Sequence, residues 1–222
     1  MKLHLGCGEV YLKGYINIDF PLNKHSVQNK SVADKHADIL RLCYSENSIE
    51  EIRLHHVFEH FTRPIACALI TTWYTWLQPN GILRIEVPDF QRTARIVLNP
   101  FNTGRKKLLA IRHIFGSHEV NWAVHCEGYT LKSLSVLLRM YGFRINKIDK
   151  NSWKGTYNFE IFANKISERL NKKQFEKITK NYLKQFLVDE SESELRLLSV
   201  WMNNYNKQIK KSSKKSKCKP LV

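Results

Sequence analysis

The chain opens with a strand, a glycine turn and a second strand that ends on a carboxylate, and this opening constrains the fold more than any later segment. Residues 3–8 read Leu-His-Leu-Gly-Cys-Gly, and residues 14–19 read Gly-Tyr-Ile-Asn-Ile-Asp. Gly6 and Gly8 can adopt positive φ and allow a ligand to approach the backbone where a Cβ would block it. Asp19 can accept two hydrogen bonds from ribose hydroxyls. The pattern predicts a nucleoside site at the carboxyl edge of a parallel sheet.

The spacing inside this opening argues against a dinucleotide. Ten residues separate Gly8 from Asp19, whereas the dinucleotide fingerprint places its acidic residue about 20 residues beyond the glycines. No third glycine and no start of a phosphate-binding helix follow the turn. We therefore expect any helix between the first two strands to be very short or absent, and NAD is disfavoured.

Composition places the chain among globular proteins of a reducing compartment. With 222 residues, of which 43% are hydrophobic, it can bury a real core in about one to one and a half domains. The five cysteines are odd in number and form no Cys-x-x-Cys pair, which argues against a disulfide framework or a zinc ribbon. Neither a membrane-spanning run nor a signal-peptide core is visible, and we expect a cytoplasmic protein.

Positive charge is concentrated towards the carboxyl terminus. The net charge is +16, and residues 207–222 carry seven lysines and no acidic residue. One interpretation is a solvated, disordered tail of low complexity. The other is an electrostatic tether to RNA or to an anionic membrane surface. Both interpretations stay open at the level of sequence.

Hydrophobic periodicity predicts alternating strands and helices through the middle of the chain. We expect further strands over residues 32–40, 52–58, 82–88, 143–149 and 157–164. We expect helices over residues 64–77, 104–115 and 131–141, the last capped by Thr130 and ended by Gly142. This alternation predicts a mostly parallel sheet with helices on both faces. Two polar helices are expected beyond it, over residues 167–187 and 190–209.

Taken in order, these segments resemble class I S-adenosylmethionine-dependent methyltransferases, and more closely a group of small bacterial predicted methyltransferases. The matching pieces are Leu-His-Leu-Gly-Cys-Gly, Gly-Tyr-Ile-Asn-Ile-Asp, Asp38-Ile-Leu, His56-Val-Phe-Glu-His-Phe, the segment from Leu77 to Asp89 and Tyr141-Gly-Phe. The resemblance implies a Rossmann-like α/β fold with a mostly parallel seven-stranded sheet flanked by helices. We expect the methyltransferase domain to span residues 1–165 and a basic helical extension with a lysine-rich tail to span 166–222.

The resemblance also implies roles in binding S-adenosylmethionine. Asp19 is expected to hold the ribose hydroxyls, while Asp38 and Ile39 border the adenine. His56 and Val57 are expected to pass beneath the sulfonium and the methyl group. The methionine part of the cofactor is expected to contact Leu5, Gly6, Cys7 and Gly8. Because the methyl group is already activated by positive sulfur, the protein needs mainly to position the acceptor and, for a hydroxyl, to supply a base.

Glu59 and His60 follow the fourth strand, where such a base is needed. Because histidine is the usual general base near pH 7, His60 can serve in that role, although the pair can equally cap and tether the next helix. We predict catalytic contributions from His60, Glu59 and His125.

Some methyltransferases of quinone precursors and of small-RNA 3′ ends carry Glu-x-x-Glu-His at this position and bind a metal there. Here His56 replaces the first Glu. Nitrogen-rich ligation, completed by one of His113, His118 and His125, would favour zinc or manganese. We assign no metal ligand and leave this alternative open.

The acceptor is the least determined part of the prediction. Residues 113–129 are rich in histidine and aromatic residues, and in this fold the corresponding segment commonly covers the acceptor pocket. We predict substrate contacts from His118, Trp122 and Tyr129, beside His125, although a packed loop with satisfied histidines fits the same pattern.

Methylation of a hydroxyl on a glycan or small molecule is the leading hypothesis. An RNA methyltransferase that uses the basic extension is the alternative, although no Asn/Asp-Pro-Pro-Tyr motif and no Pro-Cys nucleophile is present. A non-catalytic scaffold is a third hypothesis, which the intact Gly6, Gly8, Asp19 and Asp38 oppose. The sequence gives no indication of the oligomeric state.

Overall fold

The computed structural model describes residues 1–166 and 170–212 and contains one sheet of seven strands. The strands are β1 (Lys2–Leu5), β2 (Ile16–Asp19), β3 (Lys35–His36), β4 (Ile49–His55), β5 (Leu77–Pro88), β6 (Phe143–Trp153) and β7 (Thr156–Lys165). The α-helices are α1 (Arg63–Trp76), α2 (Phe90–Leu98), α3 (Gly104–Phe115), α4 (Leu131–Met140), α5 (Lys172–Lys184) and α6 (Glu192–Ser212). Short 3-10 turns lie at Leu22–Lys24, Ile39–Arg41 and Phe58–His60.

The strand order is β3-β2-β1-β4-β5-β7-β6, and β7 runs antiparallel to both of its neighbours. The other paired strands are parallel, as the sequence predicts. Parallel pairing brings the carboxyl ends of β1, β2, β4 and β5 to one edge of the sheet. Because β7 is reversed, the turn between β6 and β7 also lies at this edge.

No helix separates β1 from β2, in agreement with the short spacing of the sequence. The side chain of Asn17 stabilises the connecting loop instead. Its Oδ1 accepts a hydrogen bond from the backbone N–H of Leu12 at 2.9 Å, and its Nδ2 donates to the Leu12 carbonyl at 3.1 Å. The loop therefore satisfies backbone groups that a helix would otherwise pair.

The hydrophobic core lies between one face of the sheet and four helices. Side chains alternate between the two faces of a strand, so the register places Ile18, Leu5, Leu54, Ile85 and Ile161 in one row. All five are completely buried. The same buried cluster includes one large side chain from each packing helix, namely Trp73 of α1, Leu137 of α4, Tyr182 of α5 and Tyr205 of α6.

The opposite face of the sheet is stabilised by ion pairs. Arg84 lies between Glu51, at 3.2 Å, and Glu160, at 3.1 Å, and Arg53 approaches Glu160 at 3.4 Å. On this side α3 approaches the carboxyl edge of the sheet, where His113 contacts the carbonyl of Tyr157. Helices therefore lie on both sides of the sheet, but most of the apolar packing is on one side.

Several local features differ from the sequence prediction. Strands β5 and β6 are longer than the expected ranges 82–88 and 143–149. The third strand was expected over residues 32–40 but is only Lys35–His36, because Asp38 accepts a hydrogen bond from the N–H of Leu40 at 2.9 Å and begins a 3-10 turn. The fourth strand ends at His55 rather than at residue 58. Helix α2 was not predicted; Asp89 caps its first turn by accepting from the N–H of Arg92 at 3.0 Å.

Helices α3 and α4 agree closely with their predicted ranges. The N-cap of α4 is Thr130, which forms a reciprocal capping box with Ser133, and the helix ends before Gly142 at a φ of 81°. Both signals are local, and local hydrogen bonding is what capping residues supply.

Helices α5 and α6 confirm the two polar helices expected beyond the sheet, with somewhat different bounds. Tyr205 approaches Thr71 of α1 with 3.2 Å between their hydroxyl oxygens, and Thr179 approaches Tyr141 at 2.6 Å in the same way. The division of the chain near residue 165 stays a prediction. Residues 213–222, which carry most of the lysine-rich tail, lie outside the described residues. Within the described ranges, no helix combines the length and apolar character that a membrane span requires.

We expect the substitution Tyr205→Ala to lower the free energy of unfolding by about 3–5 kcal/mol, the usual cost of removing a large buried aromatic side chain. Tyr205 is 1% exposed. On the same helix, Val200 is 53% exposed, so Val200→Ala should change stability by no more than about 0.5 kcal/mol. Urea unfolding followed by circular dichroism measures both. Equal effects of the two substitutions would contradict the packing of α6 into the core.

Candidate active site

The glycine turn after β1 closes against the end of β2. The backbone N–H groups of Gly6 and Cys7 both donate to the carbonyl of Ile18, at 2.8 and 3.1 Å. Gly6 and Gly8 have φ values of 69° and 55°, the left-handed region that favours glycine. A Cβ on Gly6 would lie 2.3 Å from Cγ2 of Val57. The turn is therefore in direct contact with the segment that follows β4.

Space remains beside this turn for a ligand. No atom lies within 4 Å of the position that a Cβ of Gly8 would take. Asp19 is 7% exposed, and its two carboxylate oxygens accept the N–H groups of Gly8, at 2.6 Å, and Phe20, at 2.7 Å. A carboxylate can accept about four hydrogen bonds, so Asp19 retains capacity for hydroxyl donors. The open space beside the turn and the acceptor capacity of this carboxylate fit a ligand that carries hydroxyl groups, as S-adenosylmethionine does.

Asp38 and Ile39 lie at the start of the 3-10 turn after β3. The backbone N–H of Ala37 donates to the carbonyl of Asp19 at 2.8 Å, which holds this segment beside β2. The Asp38 side chain is 31% exposed and lies 3.5 Å from the guanidinium of Arg41. Its carboxylate therefore caps the local turn and also remains accessible.

His56 has a strained backbone at the end of β4. Its φ is 55°, which is uncommon for a residue other than glycine and is concentrated at functional sites. Its backbone N–H donates to the carbonyl of Glu86 at 3.0 Å. This conformation directs the chain away from the strand and allows the side chain to contact two carboxylates.

The first of these carboxylates is Glu59, which is 1% exposed. Its Oε1 lies 3.2 Å from Nδ1 of His56 and 3.9 Å from Nε2 of His125. Burial alone raises the pKa of a carboxyl, but the hydrogen bond from His56 and the positive charge of His56 bring the pKa of Glu59 below its ordinary value. Burial likewise opposes the charged form of His56, but Glu59 and Glu86 raise its pKa above the ordinary value.

The second carboxylate is Glu86 of β5, which is 4% exposed. Its Oε1 lies 3.1 Å from Nε2 of His55 and 3.7 Å from Nε2 of His56, and it accepts a hydrogen bond from Nδ2 of Asn151 at 2.9 Å. Burial would raise the pKa of Glu86, but the hydrogen bonds from His55 and Asn151 and the charges of both histidines lower it to about 2.

The predicted base residues His60 and His125 lie side by side, with ring centroids 4.8 Å apart. Nδ1 of His60 lies 3.0 Å from the carbonyl of Val124, so this nitrogen carries the proton that it donates. Burial lowers the pKa of His125 below its ordinary value. His125 is therefore neutral at pH 7 and can accept a proton.

A cavity of about 980 Å³ opens at this edge of the sheet, between α3 and the turn that joins β6 to β7. Four of the lining residues belong to the histidine and carboxylate network described above: His55, His56, Glu86 and His125. Three cationic side chains also line it: Arg105, Arg112 and Lys154. The glycine turn does not line the cavity. It contacts Val57, the residue that follows His56 in the chain.

The structure does not place the three predicted substrate residues along this cavity. Tyr129 is 3% exposed and stacks on Phe58 at 5.2 Å, so its ring belongs to the core. Trp122 does not line the cavity, and its Nε1 donates to the carbonyl of Lys24 at 3.2 Å. The exposed side chain of His118 bonds to the carbonyl of Phe115 at 3.0 Å. Tyr129 therefore cannot reach an acceptor in the cavity.

Residues that the sequence prediction missed supply much of the cavity. His55 and Glu86 are opposite each other in the register of β4 and β5, which no local pattern of the sequence indicates. His113, considered above only as a metal ligand, lines the cavity with Nε2 3.1 Å from the carbonyl of Tyr157. The sequence does offer one signal, which is the charged residue Glu86 in a strand with many apolar residues. Because an unpaired buried carboxylate is costly, such a residue indicates that a partner lies nearby.

Comparisons with known proteins support the fold. No protein-family model matches the sequence, and no curated protein matches it. A solved structure described as a SAM-dependent methyltransferase from Methanosarcina mazei is 16% identical, with a TM-score of 0.50 over 75% of this chain and 92% of that chain.

A second structure contains the Trm112 methyltransferase activator of Haloferax volcanii in complex with a protein assigned as a methyltransferase. The matched chain of that complex is 10% identical to this chain, with a TM-score of 0.52 over 77% of this chain and 83% of that chain. Together with the strand order, these similarities show that the chain has the Rossmann-like fold of class I S-adenosylmethionine-dependent methyltransferases, as the sequence predicts.

We expect Glu86→Gln to destabilise the protein by about 1–3 kcal/mol at pH 7, because a buried, charged hydrogen-bond acceptor is lost. The folded-state pKa of Glu86 lies below its unfolded value of 4.5. The stabilisation is therefore complete above pH 4.5 and is lost as the pH falls towards 2. Urea unfolding at pH 7, 5 and 3.5 measures the free energy of unfolding of both proteins. The difference between Glu86→Gln and wild type should be smaller at pH 3.5 than at pH 7.

The exposed Glu190 offers a matched control, since Glu190→Gln should leave stability unchanged at every pH. A difference between Glu86→Gln and wild type that stays constant from pH 7 to pH 3.5 would contradict the depressed pKa.

Proposed function

We propose that this protein transfers a methyl group from S-adenosylmethionine to a hydroxyl of a small molecule or glycan. The observation that supports this proposal most directly is the cavity at the carboxyl edge of the sheet, which His56 and His125 line next to the glycine turn. Its volume of about 980 Å³ is that of a small-molecule site, for which 300–1,000 Å³ is typical.

The chain's own residues provide a binding surface for the cofactor, which supplies a methyl group activated by positive sulfur. The methionine part would lie along Leu5, Gly6, Cys7 and Gly8, where Gly8 leaves open space. Asp19 would accept the ribose hydroxyls, and Asp38 with Ile39 would border the adenine. The backbone of His56 and Val57 would then lie beneath the reacting methyl group, at the entrance to the cavity.

His125 is the residue that we assign as the general base. It lines the cavity, and burial keeps it neutral at pH 7, so it can take the proton of an acceptor hydroxyl as the new bond forms. Glu59, 3.9 Å away, stabilises the imidazolium that results. His60 acts as a positioning residue, since its bond to Val124 holds the segment that carries His125.

Cationic side chains give the cavity a preference for acceptors that carry negative charge. Arg105 and Arg112 lie on α3, and Lys154 lies in the turn between β6 and β7. The same residues favour phosphate groups, and for that reason RNA remains the alternative acceptor. The basic extension would add electrostatic affinity for RNA.

We expect Asp19→Asn to weaken binding of S-adenosylmethionine about 10- to 100-fold, because hydrogen bonds to a charged acceptor contribute about 1.5–3 kcal/mol. Isothermal titration calorimetry measures this effect. Asp149 of β6, whose side chain is 43% exposed, supplies the matched control, since Asp149→Asn should bind as wild type does. The melting temperature reports whether Asp19→Asn still folds. Wild-type protein that binds no S-adenosylmethionine would disprove the proposal.

We expect His125→Gln to lower kcat about 10²- to 10⁴-fold, the usual contribution of a general base, with little change in affinity for the cofactor. Release of S-adenosylhomocysteine, measured with a panel of sugars, phenols and short RNAs, reports the reaction. The wild-type rate should fall only below pH 6.5, since the pKa of His125 is lowered.

The panel also decides between the two acceptor classes. Turnover with RNA alone would replace the small-molecule hypothesis with its alternative. A His125→Gln variant that retains the wild-type rate with an active acceptor would show that another group, or no base, removes the proton.

A further inference from the structure

Three potential metal ligands meet at the wall of the cavity. Oε1 of Glu86 lies 3.1 Å from Nε2 of His55 and 3.7 Å from Nε2 of His56. One ligand atom from each of the three residues falls within 4.8 Å of the others. The cluster is distinct from the glycine turn and from the base assigned to His125.

These separations are those of ligands around a single ion. Zinc binds imidazole nitrogen and carboxylate oxygen at about 2.0–2.2 Å, and the edge of such a tetrahedron is about 3.4 Å. The two separations from Glu86 bracket this value, and the separation between the two histidine nitrogens is no more than 4.8 Å. Little movement of the side chains would therefore be needed to bind a metal.

Neighbouring groups orient two of the three ligands. Nδ1 of His56 faces the buried carboxylate of Glu59 at 3.2 Å, which holds a proton on Nδ1. Nε2 is then the ring nitrogen that faces Glu86, and it becomes a metal ligand when the metal displaces its proton. Nδ2 of Asn151 donates to Oε1 of Glu86 at 2.9 Å. A carboxylate behind a ligating histidine is the arrangement that most metal sites use.

The cluster is also accessible from the cavity. The side chains of His55 and His56 are 42% and 30% exposed, and all three residues line the cavity. Three protein ligands leave at least one coordination position for an oxygen from water or substrate, as in catalytic rather than structural sites.

We propose that His55, His56 and Glu86 bind one divalent transition-metal ion, with zinc and manganese as the matching ions. Two imidazoles and one carboxylate suit such ions better than magnesium or calcium, which prefer oxygen ligands. Metal binding itself is independent of the proposed methyl transfer. Only the consequence rests on that function: an acceptor oxygen that coordinates the ion would be held beside His125.

A second group, formed by Glu59, His60 and His125, also lies within 4.8 Å but fits less well. Oε1 of Glu59 already accepts from His56 and lies 3.9 Å from Nε2 of His125, while the buried Oε2 has no hydrogen-bond partner. Neither Glu59 nor His60 lines the cavity. The two groups predict different effects of substitution, and the experiment below distinguishes them.

The test uses the full chain, freed of metal with a chelator and titrated with Zn²⁺ and Mn²⁺ by calorimetry and with Co²⁺ by absorption spectroscopy. We expect one equivalent to bind. His55→Ala and Glu86→Gln should each weaken binding at least about 10-fold, because a ligand contributes no less than the supporting groups around it. His60→Ala and His36→Ala, the latter at an exposed histidine of β3, should bind as wild type does.

Circular dichroism of each variant establishes that it is folded, and Glu86→Gln keeps the shape of its side chain if His55→Ala is unstable. Absence of binding to the folded wild type would overturn the proposal. Loss of binding in His60→Ala but not in His55→Ala would do the same. S-adenosylmethionine binding is measured separately. A protein that binds metal but not the cofactor would refute only the proposed function. A protein that binds the cofactor but not metal would refute only the metal site.

Discussion

The buried carboxylate of Glu59 is the group on which the candidate site depends. Burying an ionised carboxyl is costly unless it is paired and hydrogen-bonded. Oε1 of Glu59 meets this requirement with His56 from the end of β4 and lies 3.9 Å from His125 of the segment before α4, whereas its buried Oε2 has no hydrogen-bond partner. The backbone carbonyl of Glu59 accepts the N–H of Cys126 at 2.8 Å. Glu59 thus holds the segment that carries His125, the proposed general base, over the edge of the sheet through its backbone carbonyl and its buried carboxylate.

The register of the sheet supplies the second constraint. Pairing of β4 with β5 sets His55 opposite Glu86, and pairing of β5 with β7 continues the polar row to Glu160. Side chains on this face balance one another through ion pairs, whereas the other face is apolar and packs on the helices. The sheet therefore has an apolar core on one face and paired, charged side chains on the other.

Sequence reasoning succeeded where the signal was local. The glycine turn, the absence of a helix before β2 and the Thr130 cap each depend on residues within a few positions of one another. It failed where a competing contact outweighed a pattern. Asp38 ends β3 early because its side chain begins a turn. Tyr129, which was predicted to contact the acceptor, stacks on Phe58 in the core.

The sequence by itself determined the strand–turn–strand opening, the alternation of strands and helices and the acidic residue at the end of β2. These follow from backbone geometry and periodicity, which act over short separations. Only the tertiary structure decided which histidines meet which carboxylates. His55 and Glu86 become neighbours through the pairing of two strands, and His125 reaches Glu59 through the path of a loop. Such contacts depend on the packing of distant segments, which no local pattern records.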